Sequence, residues 1–184
     1  MESRKFYLTL LVIASSVGCD QITKDIAKDN LKYAPPISYF GNTFRLQYAE
    51  NSGACLSLGS GLSESLRTYL FTFVSGGLLV GLLFYILINH QFSRRQVIAL
   101  SLILGGGSGN LLDRILNDGH VIDFMNMGIG SVRTGIFNIA DVLIMTGMGL
   151  VILFSYLERP KLPADAAGSD GTEGNSKSQI SNVE

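Results

Sequence analysis

The chain is poor in charge, cysteine and histidine, and it has no tryptophan. Asp, Glu, Lys and Arg make up 16% of it against 47% hydrophobic residues, too little charge for an ordinary soluble domain and a balance that suits a small bundle of membrane helices. A formal net charge of -1 leaves no basic footprint, which argues against a nucleic-acid partner. Two cysteines, Cys19 and Cys55, do not make a disulfide framework. They would pair only if both faced an oxidising compartment, and free buried thiols are common. His90 and His120 fall at opposite ends of the membrane segments, so no metal site is expected and no cofactor either. The glycine run GGGSGN at 105–110 lacks the Lys and Ser/Thr that follow in a P-loop, which argues against nucleotide binding.

What remains are long uncharged runs interrupted by a few charges. Residues 1–20 start basic, run apolar and end in small residues before Cys19. That also describes a cleaved signal peptide, and Ser16-Val17-Gly18-Cys19 resembles a lipobox. Ser16 stands where such motifs usually carry Leu, and the rest of the chain is itself membrane-like, so a retained helix is favoured. The uncharged run 6–19 is too short to span about 20 residues' worth of hydrocarbon, so the helix must continue through Asp20 towards Lys24. These two lie four apart on one face. Spacing alone favours an interfacial ion pair that ends the helix.

Pro35-Pro36 stop any helix, and 43–48 alternates apolar Phe44, Leu46 and Tyr48 with polar Arg45 and Gln47. With 37–40 across Gly41-Asn42, this predicts a short β-hairpin. Residues 50–54 break the alternation. A polar turn is the favoured reading there; the other uses the Asn51 amide against an extended peptide backbone.

Ser63 is placed to cap a second span over 68–89, with Gly76, Gly77 and Gly81 forming a small face for close packing. A third span is predicted over 96–112, with Ser101, Gly105 and Gly109 as its packing face. A fourth starts near Phe137, draws Asp141 into its first turn and ends at Glu158-Arg159-Pro160. The expected organisation is a mainly α, four-span membrane domain over 1–160 with a β-rich outer loop at about 31–65. A disordered cytoplasmic tail follows over 161–184, which nearly lacks large apolar residues. Four spans put both termini on one side with Arg4, Lys5, Arg94, Arg95, Arg159 and Lys161, which the positive-inside rule makes cytoplasmic; Lys24, Lys28 and Lys32 argue the other way.

This topology gathers Asp20, Lys24, Asn110, Asp113, Arg114, Asn138 and Asp141 at the opposite face, beside the Asn51 loop. Charges at the edge of a hydrocarbon layer cost several kcal/mol each unless paired or hydrated, so a cluster of them points to function. Asp123 and Asp141 flank one connector and can face one pocket. Two nearby carboxylates share a proton, so one can take a proton from water while the other gives one to a carbonyl oxygen. Neither sits in the Asp-Thr/Ser-Gly context of pepsin-like proteases or the Gly-x-Gly-Asp context of presenilin-type enzymes. Paired intramembrane acids also serve proton relays, and physics alone leaves hydrolase and transporter both open. A transporter predicts polar residues through the depth of the spans, whereas the strong charges here stay at one face.

Five ordered motifs resemble those of the bacterial lipoprotein (type II) signal peptidases: Asp20-Gln21-Ile22-Thr23-Lys24, Asn51-Ser52-Gly53-Ala54, the run from Gly106 to Arg114, Val121-Ile122-Asp123-Phe124, and Phe137-Asn138-Ile139-Ala140-Asp141. The resemblance covers nearly all of the chain except the tail. It implies an aspartyl endopeptidase of the bacterial inner membrane that removes the signal peptide from diacylglyceryl-modified prolipoproteins, cutting just before the lipidated cysteine. It makes Asp123 and Asp141 the catalytic pair and places Asp20, Lys24, Asn51, Gly53, Asn110, Asp113, Arg114, Asn138 and Ala140 on the family's other motif positions. Asn51, Asn110 and Asn138 are then expected to orient the pair and the substrate backbone, with Asp113 and Arg114 holding helix ends. The partners implied are the lipidated prolipoprotein, membrane lipids and globomycin-type peptide inhibitors. The outer loop resembles the family's small extramembrane sheet and flexible cover. Ala54-Cys55-Leu56 departs from the family's common Ala-Ala-Phe, which bears on the packing of that cover.

Overall fold

The computed structural model describes residues 2–52 and 63–158, without the side chains of Glu2, Glu64 and Arg67. In chain order its elements are α1 (Glu2–Leu31), β1 (Ile37–Tyr39), β2 (Phe44–Asn51), α2 (Glu64–Ile88), α3 (Arg94–Leu116), β3 (Val121–Ile129), β4 (Val132–Arg133) and α4 (Ile139–Leu157). The tail over 161–184, Gly53, and the packing of Ala54, Cys55 and Leu56 lie outside the described residues, as does any pairing of Cys55 with Cys19.

Among the described residues three helical segments are long and apolar enough to cross a membrane, Ser3–Leu31, Thr68–Ile88 and Ile139–Leu157. Their apolar side chains largely face outward: Phe73, Leu78, Ile88, Met145, Ile152 and Tyr156 are each about 70% exposed. A soluble bundle would bury that stripe, and lipid solvates it instead. The remaining helix, α3, is central and packs against α1, α2 and α4. Its glycines make this possible. A Cβ at Gly105 would stand 2.5 Å from the Ser16 side chain, one at Gly106 2.5 Å from the Ala140 carbonyl oxygen, and one at Gly109 2.5 Å from an Asp20 carboxylate oxygen. Small residues let these backbones approach, as the four-residue spacing predicted. Ser93 and Gln96 form a capping box, so α3 begins two residues earlier than the apolar pattern suggested, and it runs on to Leu116.

The glycines of α2 do otherwise. A Cβ at Gly77 or Gly81 would meet nothing within 4 Å, and one at Gly76 only Leu111 at an ordinary 3.7 Å. The expected packing face on α2 is therefore not used, because α2 meets α3 through Ile86, Leu79, Leu82 and Leu83 around Val97 and Leu104.

The hairpin of β1 and β2 forms as expected, with Ile37 opposite Leu46 and Tyr39 opposite Phe44. Two features differ. The segment 50–51 is not a turn but the end of β2, with Asn51 opposite Val121. The connector after α3, for which the sequence predicts no element, carries a nine-residue strand, β3, which pairs antiparallel with β2 and makes the sheet four-stranded in the order β1-β2-β3-β4. Its register shifts between Leu46 and Ala49, which sets Ala49 opposite Asp123. The sheet rests on the C-terminal part of α1 through a second core of Ala27, Leu31 and Phe124, with Leu46, Tyr48, Met125 and Ile139 around it.

Candidate active site

The site starts from α1. Asp20 and Lys24 are an i,i+4 pair at 2.7 Å, but they do not end the helix, which continues to Leu31. The reading of an interfacial pair at a helix end is thus corrected: both side chains are buried, at 0% and 1% exposure. A buried ammonium persists only if its donors are satisfied. Lys24 Nζ donates to Asp20 Oδ2, to Asp113 Oδ2 at 2.9 Å and to Asn110 Oδ1 at 2.9 Å, one partner for each of its three hydrogens. Each partner then holds another element. Asp20 Oδ1 accepts from the Ala140 backbone N–H at 2.9 Å, which ties α1 to the first turn of α4. Asp113 Oδ2 accepts from the Ile122 N–H at 2.9 Å, which anchors β3 one residue before Asp123. Gln21 completes the group by donating to Asp113 Oδ1 at 2.9 Å and to the Gly109 carbonyl at 3.3 Å.

Asn138 is the junction of the next layer. It caps α4 in a reciprocal box: its Oδ1 accepts from the Asp141 N–H at 3.0 Å, and Asp141 Oδ2 accepts from the Asn138 N–H at 3.1 Å. Its Nδ2 reaches Asp123 Oδ1 at 2.7 Å, Asn110 Oδ1 at 3.0 Å and the Ile122 carbonyl at 3.2 Å. Asn110 Nδ2 donates to Asp141 Oδ1 at 2.9 Å. From the sheet, Asn51 Nδ2 donates to Asp123 Oδ2 at 3.0 Å. Each carboxylate oxygen of the two aspartates therefore meets a donor, and three of the four donors are asparagine amides.

Asp123 and Asp141 line one cavity of about 540 Å³ with Asn51, Asn110 and Arg114. Its other wall is the strip from Thr134 to Phe137 with Val142 and Met145 of α4. That strip is held as if it were a further strand: Phe137 exchanges backbone hydrogen bonds with Met125 at 2.8 Å in both directions, and Thr134 N–H donates to Met127 O at 2.7 Å. The cavity is polar at the aspartates and apolar along one side, a few placed polar groups on a largely apolar lining as in ligand pockets generally. Burial lifts Asp123 from the ordinary 3.8 to about 6; the charge of Asp141 adds to the rise, and the hydrogen bonds from Asn51 and Asn138 oppose it.

The structure brings together Asp20, Lys24, Asn51, Asn110, Asp113, Arg114, Asp123, Asn138, Ala140 and Asp141. Arg114 donates to the Asn110 carbonyl of its own helix at 3.2 Å and lines the cavity. Ala140 contributes its backbone N–H, not its side chain. Gln21 and the 134–137 strip were missed. Gln21 was visible only as the residue between Asp20 and Ile22, while the strip carries no period that marks it as sheet-bound. Among the described residues no group of three or more His, Cys, Asp or Glu side chains has the arrangement of a metal site.

Residues 12–157 match the family model described as Signal peptidase (SPase) II. The chain is 32% identical over 170 residues to the lipoprotein signal peptidase of Treponema denticola, covering 88% of this chain and 98% of that protein. It is 36% identical over 155 residues to that of Leifsonia xyli subsp. xyli, covering 79% of this chain and 67% of that protein. Among solved structures it resembles a bacterial membrane enzyme determined by the in meso method at 2.3 Å resolution, with a TM-score of 0.69 and 26% identity over 91% of this chain and 94% of that one.

Proposed function

Because the chain belongs to the signal peptidase II family, and is thereby a bacterial membrane protease that processes prolipoproteins, we propose that Asp123 and Asp141 are its catalytic pair and that it cuts N-terminal to a diacylglyceryl-modified cysteine. The observation that carries the pair is that both carboxylates line one cavity while asparagine amides fix their oxygens. Fixed acids spare the reaction the cost of orienting them.

Asp123, whose burial favours the protonated form, gives its proton to the scissile carbonyl oxygen. Asp141 takes a proton from the attacking water, whose oxygen bonds to the carbonyl carbon. The tetrahedral diol then collapses: Asp141 passes its proton to the nitrogen of the cysteine as the C–N bond breaks, and Asp123 takes one from a diol hydroxyl, leaving a carboxylic acid and an amine and restoring the pair. Arg114, which lines the same cavity, and the Asn51 strand end hold the substrate backbone. The apolar wall of Val142 and Met145 accepts the lipid-bearing side, and a globomycin-type peptide occupies the same groove.

The four helices are read as four spans. α3 carries glycines and polar residues instead of a greasy face because it is surrounded by helices, yet its 23 residues reach about 35 Å, enough to cross. Both termini then face the cytoplasm, residues 1–160 form the peptidase domain with 161–184 as its tail, and the sheet lies at the outer face of the inner membrane. Tyr33, Phe40, Ile129 and Val132, each at least 80% exposed, suit contact with that lipid surface. A lipidated cysteine holds its scissile bond at the interface, which accounts for acids placed at a helix end.

The test is cleavage of a lipidated precursor by purified Asp123→Asn and Asp141→Asn proteins in detergent. Each is expected to lose at least a thousandfold in kcat while retaining its fold. Processing by either at near the parental rate would remove that residue from the pair.

A further inference from the structure

A second cavity, of about 870 Å³, lies at the far end of the helices from the aspartates. Arg4 and Lys5 of α1 and Arg94 of α3 line it with His90, and Leu8, Phe92 and Ile98 make its apolar part. Among the described residues no carboxylate lines it. Lys5 Nζ donates to the carbonyl oxygens of His90 at 3.0 Å and Asn89 at 3.4 Å, so it is spent on tying α1 to the end of α2. Arg4 and Arg94 are exposed, and the salt bridges of the described residues all lie elsewhere.

Position along the helices says what could reach them. Lys5 and Lys24 are nineteen residues apart on α1, and Arg94 and Asp113 are nineteen apart on α3. Either separation is about 28 Å along a helix, close to the thickness of the hydrocarbon core. If the aspartates sit at one interface, the cationic cavity sits at the headgroup level of the other.

We propose that this cavity binds an anionic phospholipid of the leaflet opposite the active site. The phosphodiester lies between the guanidinium groups of Arg4 and Arg94, and an acyl chain runs along Leu8, Phe92 and Ile98. Guanidinium forks match phosphate oxygens in pairs, and basic pockets between helices at a membrane face suit anionic headgroups. A free phosphate would use the cations and leave the apolar wall wet, so the mixed lining favours the lipid. The bound lipid bridges α1 and α3 at their starts, beside the point where Lys5 ties α1 to the residues after α2.

The inference rests on the four-span reading but not on the catalytic pair. Full-length protein in neutral detergent is titrated with dioleoyl phosphatidylglycerol, dioleoyl phosphatidylcholine or inorganic phosphate, and bound lipid is read by native mass spectrometry. Phosphatidylglycerol is expected to be retained over phosphatidylcholine. Arg4→Gln and Arg94→Gln should each weaken retention about fivefold and the double variant about 30-fold. Arg95→Gln, on the same helical turn but outside the cavity, should leave it unchanged, and the double lysine variant should recover much of it, which separates charge loss from misfolding. Equal loss with Arg95→Gln, undiminished binding by the double variant, or displacement of the lipid by millimolar inorganic phosphate would each overturn the proposal. Maleimide labelling of Ser3→Cys and Arg95→Cys in a cysteine-free background separates the premises: labelling from opposite sides of the bilayer would refute the four-span reading, whereas labelling from one side without lipid capture would refute the lipid site alone.

Discussion

Asp123→Asn should make the protein more stable at neutral pH while ending its activity. Burial raises Asp123 from 3.8 to about 6, a gap of about two pH units, so keeping it ionised in the fold costs about 3 kcal/mol. The residue is 3% exposed, so solvent screens little of this. Asparagine removes the charge but offers an NH2 where one oxygen accepted from Asn51 or Asn138, and that loses about 1 kcal/mol unless the Asn51 amide turns over. The variant should therefore gain about 2 kcal/mol at pH 7.5.

The sign of the pH dependence follows from the raised value. Between about pH 4 and 6 the folded aspartate holds a proton that the unfolded chain has released, so parental stability falls as pH rises across that window and is level above it. The Asn variant has no such slope. It should unfold about 1 kcal/mol more easily than the parent at pH 3, below the unfolded value, and about 2 kcal/mol less easily at pH 7.5. At about 2–4 °C per kcal/mol for a chain of this size, the difference in unfolding midpoint should swing by about 6–12 °C. Far-UV circular dichroism melts in detergent at both pH values measure it. A difference that does not change with pH, or a variant less stable than the parent at pH 7.5, would refute the claim that burial of a charge at Asp123 is what the fold tolerates for function.

In cleavage assays, kcat/KM should decline as pH rises above about 6 because Asp123 then loses the proton it donates; a profile that rises through pH 6 would make Asp123 the base instead. Lys24→Met leaves Asp20 and Asp113 buried without their cation and should cost about 3–5 kcal/mol, seen as a lowered midpoint. Adding Asp20→Asn and Asp113→Asn should recover part of that loss. Gly106→Ala drives a methyl onto the Ala140 carbonyl and should cost about 1–3 kcal/mol, whereas Gly77→Ala meets open space and should be neutral or stabilise by up to about 1 kcal/mol.

Long apolar runs with charges only at their ends are a property of composition along the chain, so the helices, their approximate limits and the gathering of the acids were legible without coordinates. So was the hairpin, because Phe44, Leu46 and Tyr48 alternate. Asp123 and Asp141 stand out for a related reason: ionisable residues are rare in such a chain, and the five motifs narrow the choice further. Other features were not legible because they depend on partners distant in sequence. Asn51 reads as a turn until β3 arrives to pair with it, and β3 itself hides because its first six residues are almost wholly buried and show no alternation.

What the sequence by itself determined was which segments avoid water and which few residues carry charge among them. Hydrophobicity and helix periodicity are local, and each can be read from a window of the chain. Tertiary structure alone decided what the charges do. Lys24 looks like the end of a helix until α3 brings Asp113 and Asn110 to its ammonium, and Asp20 looks like its counter-ion until α4 presents the Ala140 N–H to it. The glycines of α2 and α3 are equally small, but only those of α3 are enclosed by other helices. A buried polar group must satisfy every donor and acceptor it has, and the residues that do so here come from α1, α3, α4 and the sheet at once. No single window of sequence contains that requirement, and the fold meets it by drawing those elements together around the two aspartates.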